Sequence, residues 1–128
     1  MMENREPKFG EFIAEKRKNQ GITLRHMAEK LEISPAYLSD IEKSRRNPPD
    51  KTLLDRIATI LKLTEDQKTL MYDLAARDRN EVSADLPDYI MNNEVVRVAL
   101  RKAKNVATTE DWEWFIKNLN KKGSKEER

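Results

Sequence analysis

The stretch that decides the fold is residues 23–42, with the sequence TLRHMAEKLEISPAYLSDIE. Its two halves are short amphipathic segments, and each follows a hydroxyl residue that can cap a helix, Thr23 or Ser34. Pro35 takes the first helical position of the second segment, where its missing N–H costs nothing. We therefore predict two short helices in succession, over about residues 24–31 and 35–44.

The spacing of these two helices is typical of a helix-turn-helix. Residues 32–34 separate them, and Ala28 supplies the small side chain that a steep, close helix crossing requires. The apolar positions that would hold the second helix against the first are Met27, Leu31, Ile33, Leu38 and Ile41. Because all of these positions fit the motif together, the set is far more specific than any single member.

The rest of the first 80 residues also predicts helices, and no alternating run of β-branched residues indicates a strand. Capping residues and apolar periodicity predict further helices at about residues 8–19, 50–61 and 65–78. With short connections between them, the five helices predict a compact all-α domain over residues 1–80.

Beyond this domain, the pattern predicts a helical extension over residues 81–120. A polar connector leads to a short helical turn that begins at Pro87, and two longer helices follow at about residues 94–104 and 109–119. The last stretch, residues 121–128, is almost entirely polar and charged, and we predict a flexible tail there.

The composition excludes several classes of functional site. The chain has no Cys, one His and three Gly, so thiolate metal sites, cysteine nucleophiles, histidine-rich centres and glycine loops for phosphates are all excluded. No nucleophile, base and orienting group can be assembled from what remains. We therefore predict a protein that is not an enzyme and that needs no metal and no cofactor.

Charge is dense but nearly balanced. Charged residues make up 38% of the chain, while the net charge is only +2, and the basic excess lies within residues 1–80. A nucleic acid would therefore be bound by a local patch and not by bulk charge. No apolar run approaches the roughly 18 residues of a membrane span, and the N-terminus does not resemble a signal peptide. We predict a cytoplasmic protein that does not bind membranes.

Residues 23–42 resemble the helix-turn-helix of the Xre/Cro and phage-repressor family of transcriptional regulators. The resemblance extends over about residues 9–76, and residues 86–103 more faintly resemble helical extensions of some members. The matching positions outside the motif are Gly10, Ile13, Arg17, Gly21, Ile22, the Asn47-Pro48-Pro49 loop, Leu53, Leu54, Ile57, Ala58 and Leu61. The resemblance implies a five-helix, lambda-repressor-like fold whose third helix enters the major groove of duplex DNA.

Carried over position by position, the resemblance implies two sets of DNA-contacting residues and one structural pair. The candidates for reading bases are Pro35, Ala36, Ser39 and Asp40. The candidates for contacting the DNA backbone are Thr23, Ser34, Tyr37, Lys43, Arg45, Arg46 and Asn47, where hydroxyls, helix N–H groups and cations suit phosphate oxygens. Arg17 and Glu42 match a pair that joins the first and third helices, which implies a structural role.

Two features depart from the family pattern. Glu32 stands in the turn where glycine is common, and a left-handed backbone there would cost a non-glycine residue about 1 kcal/mol. The base-reading set is also poor in strong readers, because Pro35 and Ala36 can only contact thymine methyl groups. We therefore expect readout to depend on Ser39, Lys43 and DNA shape.

The extension carries more apolar surface than one packing partner usually covers. We predict an interface formed by Val95, Val96, Leu100, Trp112, Trp114 and Phe115. Trp114 points away from the stripe that contains the other aromatic residues, which indicates contact with a partner. Folding back onto the first domain remains an alternative, but self-association is favoured because pairing two half-sites raises DNA affinity.

Together these features predict a sequence-specific double-stranded DNA-binding transcriptional regulator, acting as a repressor and as a homodimer. The alternative is an antitoxin or adaptor whose C-terminal helices bind a partner protein. The two functions can coexist in one chain, since antitoxins of this family type also bind DNA.

Overall fold

The computed structural model describes the backbone of residues 7–126 and the side chains of residues 7–123. Within that range every secondary-structure element is a helix, which confirms the all-α class. The helices are α1 (Phe9–Asn19), α2 (Leu24–Leu31), α3 (Pro35–Glu42), α4 (Lys51–Ile60), α5 (Glu65–Arg79), α6 (Pro87–Met91), α7 (Glu94–Val106) and α8 (Thr109–Glu126). The chain divides into two compact units, the first ending at Pro87 and the second beginning at Asp88.

Local signals explain where the helices of the first unit begin. Four side chains at N-caps each accept a hydrogen bond from the backbone N–H three residues later, at 3.0–3.1 Å. They are Thr23, Ser34, Asp50 and Thr64. Each cap of this kind stabilises a helix by about 1 kcal/mol, which is why helices as short as α2 and α3 begin at defined residues.

One hydrophobic core fills the first unit. Its helices pack in the pairs α2 with α3, α1 with α3, α1 with α5 and α2 with α4. The largest side chains that are almost wholly buried in it are Phe9, Ile13, Met27, Leu31, Leu38, Ile41, Leu54, Ile57, Leu61, Met71 and Leu74. All five apolar positions predicted for the helix-turn-helix lie in or against this core.

The connector after α5 belongs to the first unit, although the sequence predicts a domain boundary at residue 80. Ala84 packs against the core, and the hydroxyl of Ser83 donates a hydrogen bond to Asp73. Arg79 pairs with Glu81 at 3.7 Å and also donates to the carbonyl of Pro49 at 3.2 Å. The first compact unit therefore extends to Pro87, because these contacts hold the connector against the rest of that unit.

Three predicted helix ends differ from the structure by two residues or more, and one of them is the end of α7, at Val106 instead of Lys104. The third helix ends at Glu42 and not at Ser44, because Ser44 adopts a left-handed backbone with φ of 62°. The last helix continues to Glu126, so most of the predicted flexible tail is helical, and residues 127–128 lie outside the described residues. Basic side chains such as Lys121 and Lys122 favour this continuation, since cations near a helix C-terminus complement its dipole.

The second unit has helices but no core among its described side chains. None of the side chains described in α6, α7 and α8 is buried. The predicted capping box at the start of α8 is present, with Thr108 and Asp111 each accepting a backbone N–H of the other at 2.9–3.2 Å. Asn93 stands at the N-cap of α7, but its side chain makes no capping hydrogen bond. No described helix is both long and apolar enough to span a membrane.

Candidate nucleic-acid interface

A left-handed residue shapes the turn of the helix-turn-helix. Glu32 has φ of 62° and ψ of 40°, the conformation that glycine adopts at least cost. It lets Ile33 donate its N–H back to the carbonyl of Ala28 at 3.0 Å, which closes α2. Ala28 itself is wholly buried, as expected where α2 and α3 approach closely. The turn therefore carries the strain of about 1 kcal/mol expected of a non-glycine residue.

A buried ion pair fixes α3 to α1. Arg17 donates two hydrogen bonds to Glu42, from Nε at 2.7 Å and from Nη2 at 2.9 Å, and a third from Nη1 to the carbonyl of Ile22 at 2.8 Å. Both side chains are at least nine-tenths buried. The hydrogen bonds that Arg17 donates to Glu42 raise the pKa of Arg17 above its ordinary value. Arg17 therefore stays charged and links α1, α3 and the turn before α2.

Gly10 brings the same two helices into backbone contact. A Cβ at this position would lie 2.3 Å from the carbonyl oxygen of Ile41 and 2.6 Å from that of Glu42. Real Cβ atoms do not approach that closely, so α1 can pack against the end of α3 in this way only with glycine here. The position of α3 is thus set by a close backbone approach as well as by an ion pair.

The residues predicted to read bases lie on the outer face of α3. Pro35 and Ala36 are exposed, and Ser39 and Asp40 are half-buried, whereas the opposite face of the helix is buried in the core. The N-terminal turn of α3 is therefore open to solvent. Ser34 caps it by accepting the N–H of Tyr37 at 3.0 Å, which leaves the proton of its hydroxyl free to be donated outward.

The basic residues predicted to contact phosphates gather just after α3. Lys43 and Asn47 are exposed, and the side chains of Arg45 and Arg46 are 66% and 59% exposed. The left-handed residue Ser44 turns the chain so that these groups follow the end of the helix closely. We name Lys43, Arg45 and Arg46 the basic cluster.

The structure adds a contact to this cluster that the sequence did not indicate. Asp40 lies 3.7 Å from Nη1 of Arg45 and 3.8 Å from Nε of Arg46. The guanidinium of Arg46 also lies over the ring of Tyr37, 5.4 Å from its centroid. A sequence signal could have predicted these pairs. It is a carboxylate in the last turn of a helix, followed by two arginines just beyond the helix end.

Lys8 is a residue near the basic cluster that the sequence does not single out. It lines a polar cavity of about 290 Å³ together with Ser44, Arg45, Arg46, Asn47, Pro48 and Asp78. Asp78 accepts the N–H of Phe9 at 3.2 Å and so holds the start of α1 beside α5. No local pattern places Lys8 near the basic cluster, because the packing of α1 against α3 brings them together. No group of side chains suited to holding a metal ion lies among the described residues.

The predicted interface residues of the second unit are all exposed or half-buried. Val95 is 78% exposed and Trp114 is 66% exposed, while Val96 is half-buried. Trp112, Trp114 and Phe115 line one cavity of about 410 Å³ with the small side chains of Ala99, Ala103 and Ala107 and with Asp111. Trp114 therefore contributes to the same surface as the aromatic stripe, although its spacing predicts the opposite face.

One comparison with known proteins falls within the first unit. A family model described as helix-turn-helix matches residues 13–68. The "ImmF control region 10 kDa protein" of Bacillus phage phi105 is 43% identical over 67 residues, which span 47% of this chain and 73% of the phage protein.

Two solved structures are also similar to the chain. One is a crystal structure of SinR, described as the master regulator for biofilm formation, in complex with DNA; its TM-score is 0.43, with 28% identity over 48% of this chain and 97% of that one. The other is a complex of SinR protein and SinI protein, with a TM-score of 0.44 and 19% identity over 91% of this chain and 98% of that one. From the helix-turn-helix match and the phage relative, we conclude that the chain belongs to the Xre/Cro and phage-repressor family of helix-turn-helix DNA-binding transcriptional regulators.

Proposed function

We propose that this chain is a sequence-specific repressor that binds double-stranded DNA as a homodimer. The observation that carries the proposal is the pairing of an exposed α3 N-terminus with the exposed basic cluster at the other end of the same helix. Arg17 and Glu42 hold that helix rigidly from behind. A rigid helix with an open N-terminal face and adjacent cations suits insertion into a major groove.

In this mode, α3 reads bases while the flanking groups hold the sugar-phosphate backbone. Pro35 and Ala36 contact thymine methyl groups, and Ser39 donates or accepts a hydrogen bond at a base edge. The backbone is held by Thr23, Ser34, Tyr37, Lys43, Arg45, Arg46 and Asn47. Because none of the base-facing groups is a strong bidentate reader, DNA shape contributes much of the preference between sequences.

The exposed apolar side chains of the second unit support dimer formation. A helical pair without a buried side chain is not expected to be stable alone in water, because helix stability comes mostly from packing an apolar face. A second copy would cover Val95, Leu100 and the aromatic side chains of α8. It would also present two α3 helices to two half-sites, which raises affinity without a new DNA contact.

Repression follows from occupancy of an operator. Nothing in the proposal requires a cofactor, since binding depends only on the chain and the duplex. The phage relative is named for a control region, which supports a regulatory role for the DNA contact.

Selection of bound sequences from a random duplex pool tests the proposal, combined with mass measurement of the complex. We expect enriched sites made of two symmetric half-sites, with two chains on each duplex. Affinity should fall steeply with salt, with a slope near −0.9 for each phosphate neutralised. A flat salt dependence, or a pool with no enriched sequence, would contradict the proposal.

A second candidate function is binding of a different protein through α7 and α8, as in an antitoxin or adaptor. The exposed indole of Trp114 beside an apolar cavity favours it. A Trp112→Phe variant leaves Trp114 as the sole indole, whose accessibility to a fluorescence quencher can be measured. A dimer that shields Trp114 supports the homodimer, whereas a monomer with an accessible indole supports the partner protein.

A further inference from the structure

Asp40 occupies an unusual position for a carboxylate in a DNA-binding helix. It lies on the outer face of α3 and within 3.8 Å of both arginines of the basic cluster. Its side chain is about one-third exposed and those of the two arginines are more than half exposed, so both contacts are surface ion pairs that salt weakens. The free protein therefore already places a negative group of its own beside Arg45 and Arg46.

This arrangement lowers the affinity for DNA. A guanidinium that contacts a phosphate must leave Asp40 or share itself with it, and either change reduces the free energy gained from the phosphate contact. Binding to duplexes of arbitrary sequence rests almost wholly on such cation–phosphate contacts. A carboxylate that competes for those cations lowers affinity for every sequence.

We infer that Asp40 is a positioning residue that holds Arg45 and Arg46 in the free protein and thereby suppresses binding to non-cognate DNA. It acts through the two arginines and not by reading a base. The inference rests on the proposed function, since it assumes that the basic cluster contacts phosphates. Tyr37 assists by keeping the Arg46 guanidinium stacked on its ring and within reach of Asp40.

The experiment compares two variants that change the net charge equally. Asp40→Asn removes the carboxylate but keeps its shape, and Glu32→Gln does the same for a carboxylate that pairs with Arg56 at 3.7 Å. Arg56 lies on α4, outside the basic cluster, so Glu32→Gln controls for charge alone. Binding of a duplex of arbitrary sequence is titrated over a range of salt around 0.1 M, where the screening length is about 10 Å.

We expect Asp40→Asn to tighten binding about three- to tenfold, from the loss of two surface ion pairs, and to steepen the salt dependence. Glu32→Gln should change the affinity by less than about twofold, since its partner Arg56 lies outside the basic cluster. In an Arg45→Ala/Arg46→Ala background, Asp40→Asn should have no effect beyond that of Glu32→Gln. Circular dichroism and thermal unfolding confirm that each variant is folded.

Three results would overturn the inference. The first is that Asp40→Asn and Glu32→Gln change the affinity for DNA equally. The second is that Asp40→Asn still tightens binding in the Arg45→Ala/Arg46→Ala background. The third is that Asp40→Asn changes the affinity only for duplexes that differ at one particular base pair. The last would make Asp40 a base reader. The proposed function fails separately, if the unaltered protein shows no salt-dependent binding to any duplex.

Discussion

Both units of the chain are helical, but they differ in what their apolar side chains contact. In the first unit, α1 to α5 surround a core in which the largest apolar side chains are almost wholly buried. In the second unit, no described side chain of α7 or α8 is buried, and the aromatic residues are exposed. Helix-forming patterns and caps act within one segment, whereas a core requires several segments to meet. The first unit therefore has a hydrophobic core of its own, whereas the described side chains of α7 and α8 do not form one.

The largest expected effect comes from breaking the ion pair behind α3. Glu42→Ala leaves Arg17 buried without its carboxylate and should lower the free energy of unfolding by about 3–5 kcal/mol. Glu94→Ala, at the exposed start of α7, is the matched control and should change stability by less than about 0.5 kcal/mol. Urea denaturation followed by circular dichroism measures both. If both variants lowered the free energy of unfolding equally, charged side chains in the first unit would be no more important for stability than those in the second.

Two glycine substitutions, one in each unit, test the same difference in packing. Gly10→Ala forces a Cβ against the backbone of α3 and should cost about 1–3 kcal/mol. Gly123→Ala in α8 meets nothing within 4 Å and should stabilise the helix by up to about 1 kcal/mol, because alanine has the higher helix propensity. Thermal unfolding of the two variants should therefore shift in opposite directions. A neutral Gly10→Ala would mean that α1 and α3 are not packed so closely.

The third prediction tests whether a second copy completes the second unit. Trp114→Ala should weaken the homodimer by about 2 kcal/mol, or about thirtyfold in dissociation constant, as expected for a buried aromatic anchor. Val82→Ala removes an equally exposed apolar side chain from the first unit and should leave association unchanged. Sedimentation equilibrium measures both. Dimers that form equally well without the Trp114 indole would exclude this surface as the interface.

The sequence predicts features that depend on neighbouring residues better than features that depend on packing between distant segments. The local sequence pattern is sufficient to predict the bounds of α2 and the caps at Thr23 and Ser34, because each depends on a few neighbouring residues. The same holds for the strain of the left-handed backbone at Glu32. The sequence shows the carboxylate and the two arginines that form the Asp40 pairs, but the geometry of these pairs depends on the turn at Ser44, whose residue type does not indicate a positive φ. The approach of Lys8 to the basic cluster depends on tertiary packing, which no local pattern encodes.

The smallest effect concerns that left-handed turn. Glu32→Gly should stabilise the first unit by up to about 1 kcal/mol, because glycine adopts positive φ without strain. The lost pair with Arg56 contributes little, since Glu32 is 81% exposed. Asn80→Gly is the matched control, because Asn80 has φ of 58° but tolerates it better, so its gain should be smaller. In thermal unfolding, 1 kcal/mol corresponds to about 4–8 °C for a domain of this size. A gain at Asn80 that equals the gain at Glu32 would mean that the turn between α2 and α3 stores no more strain than an ordinary helix end.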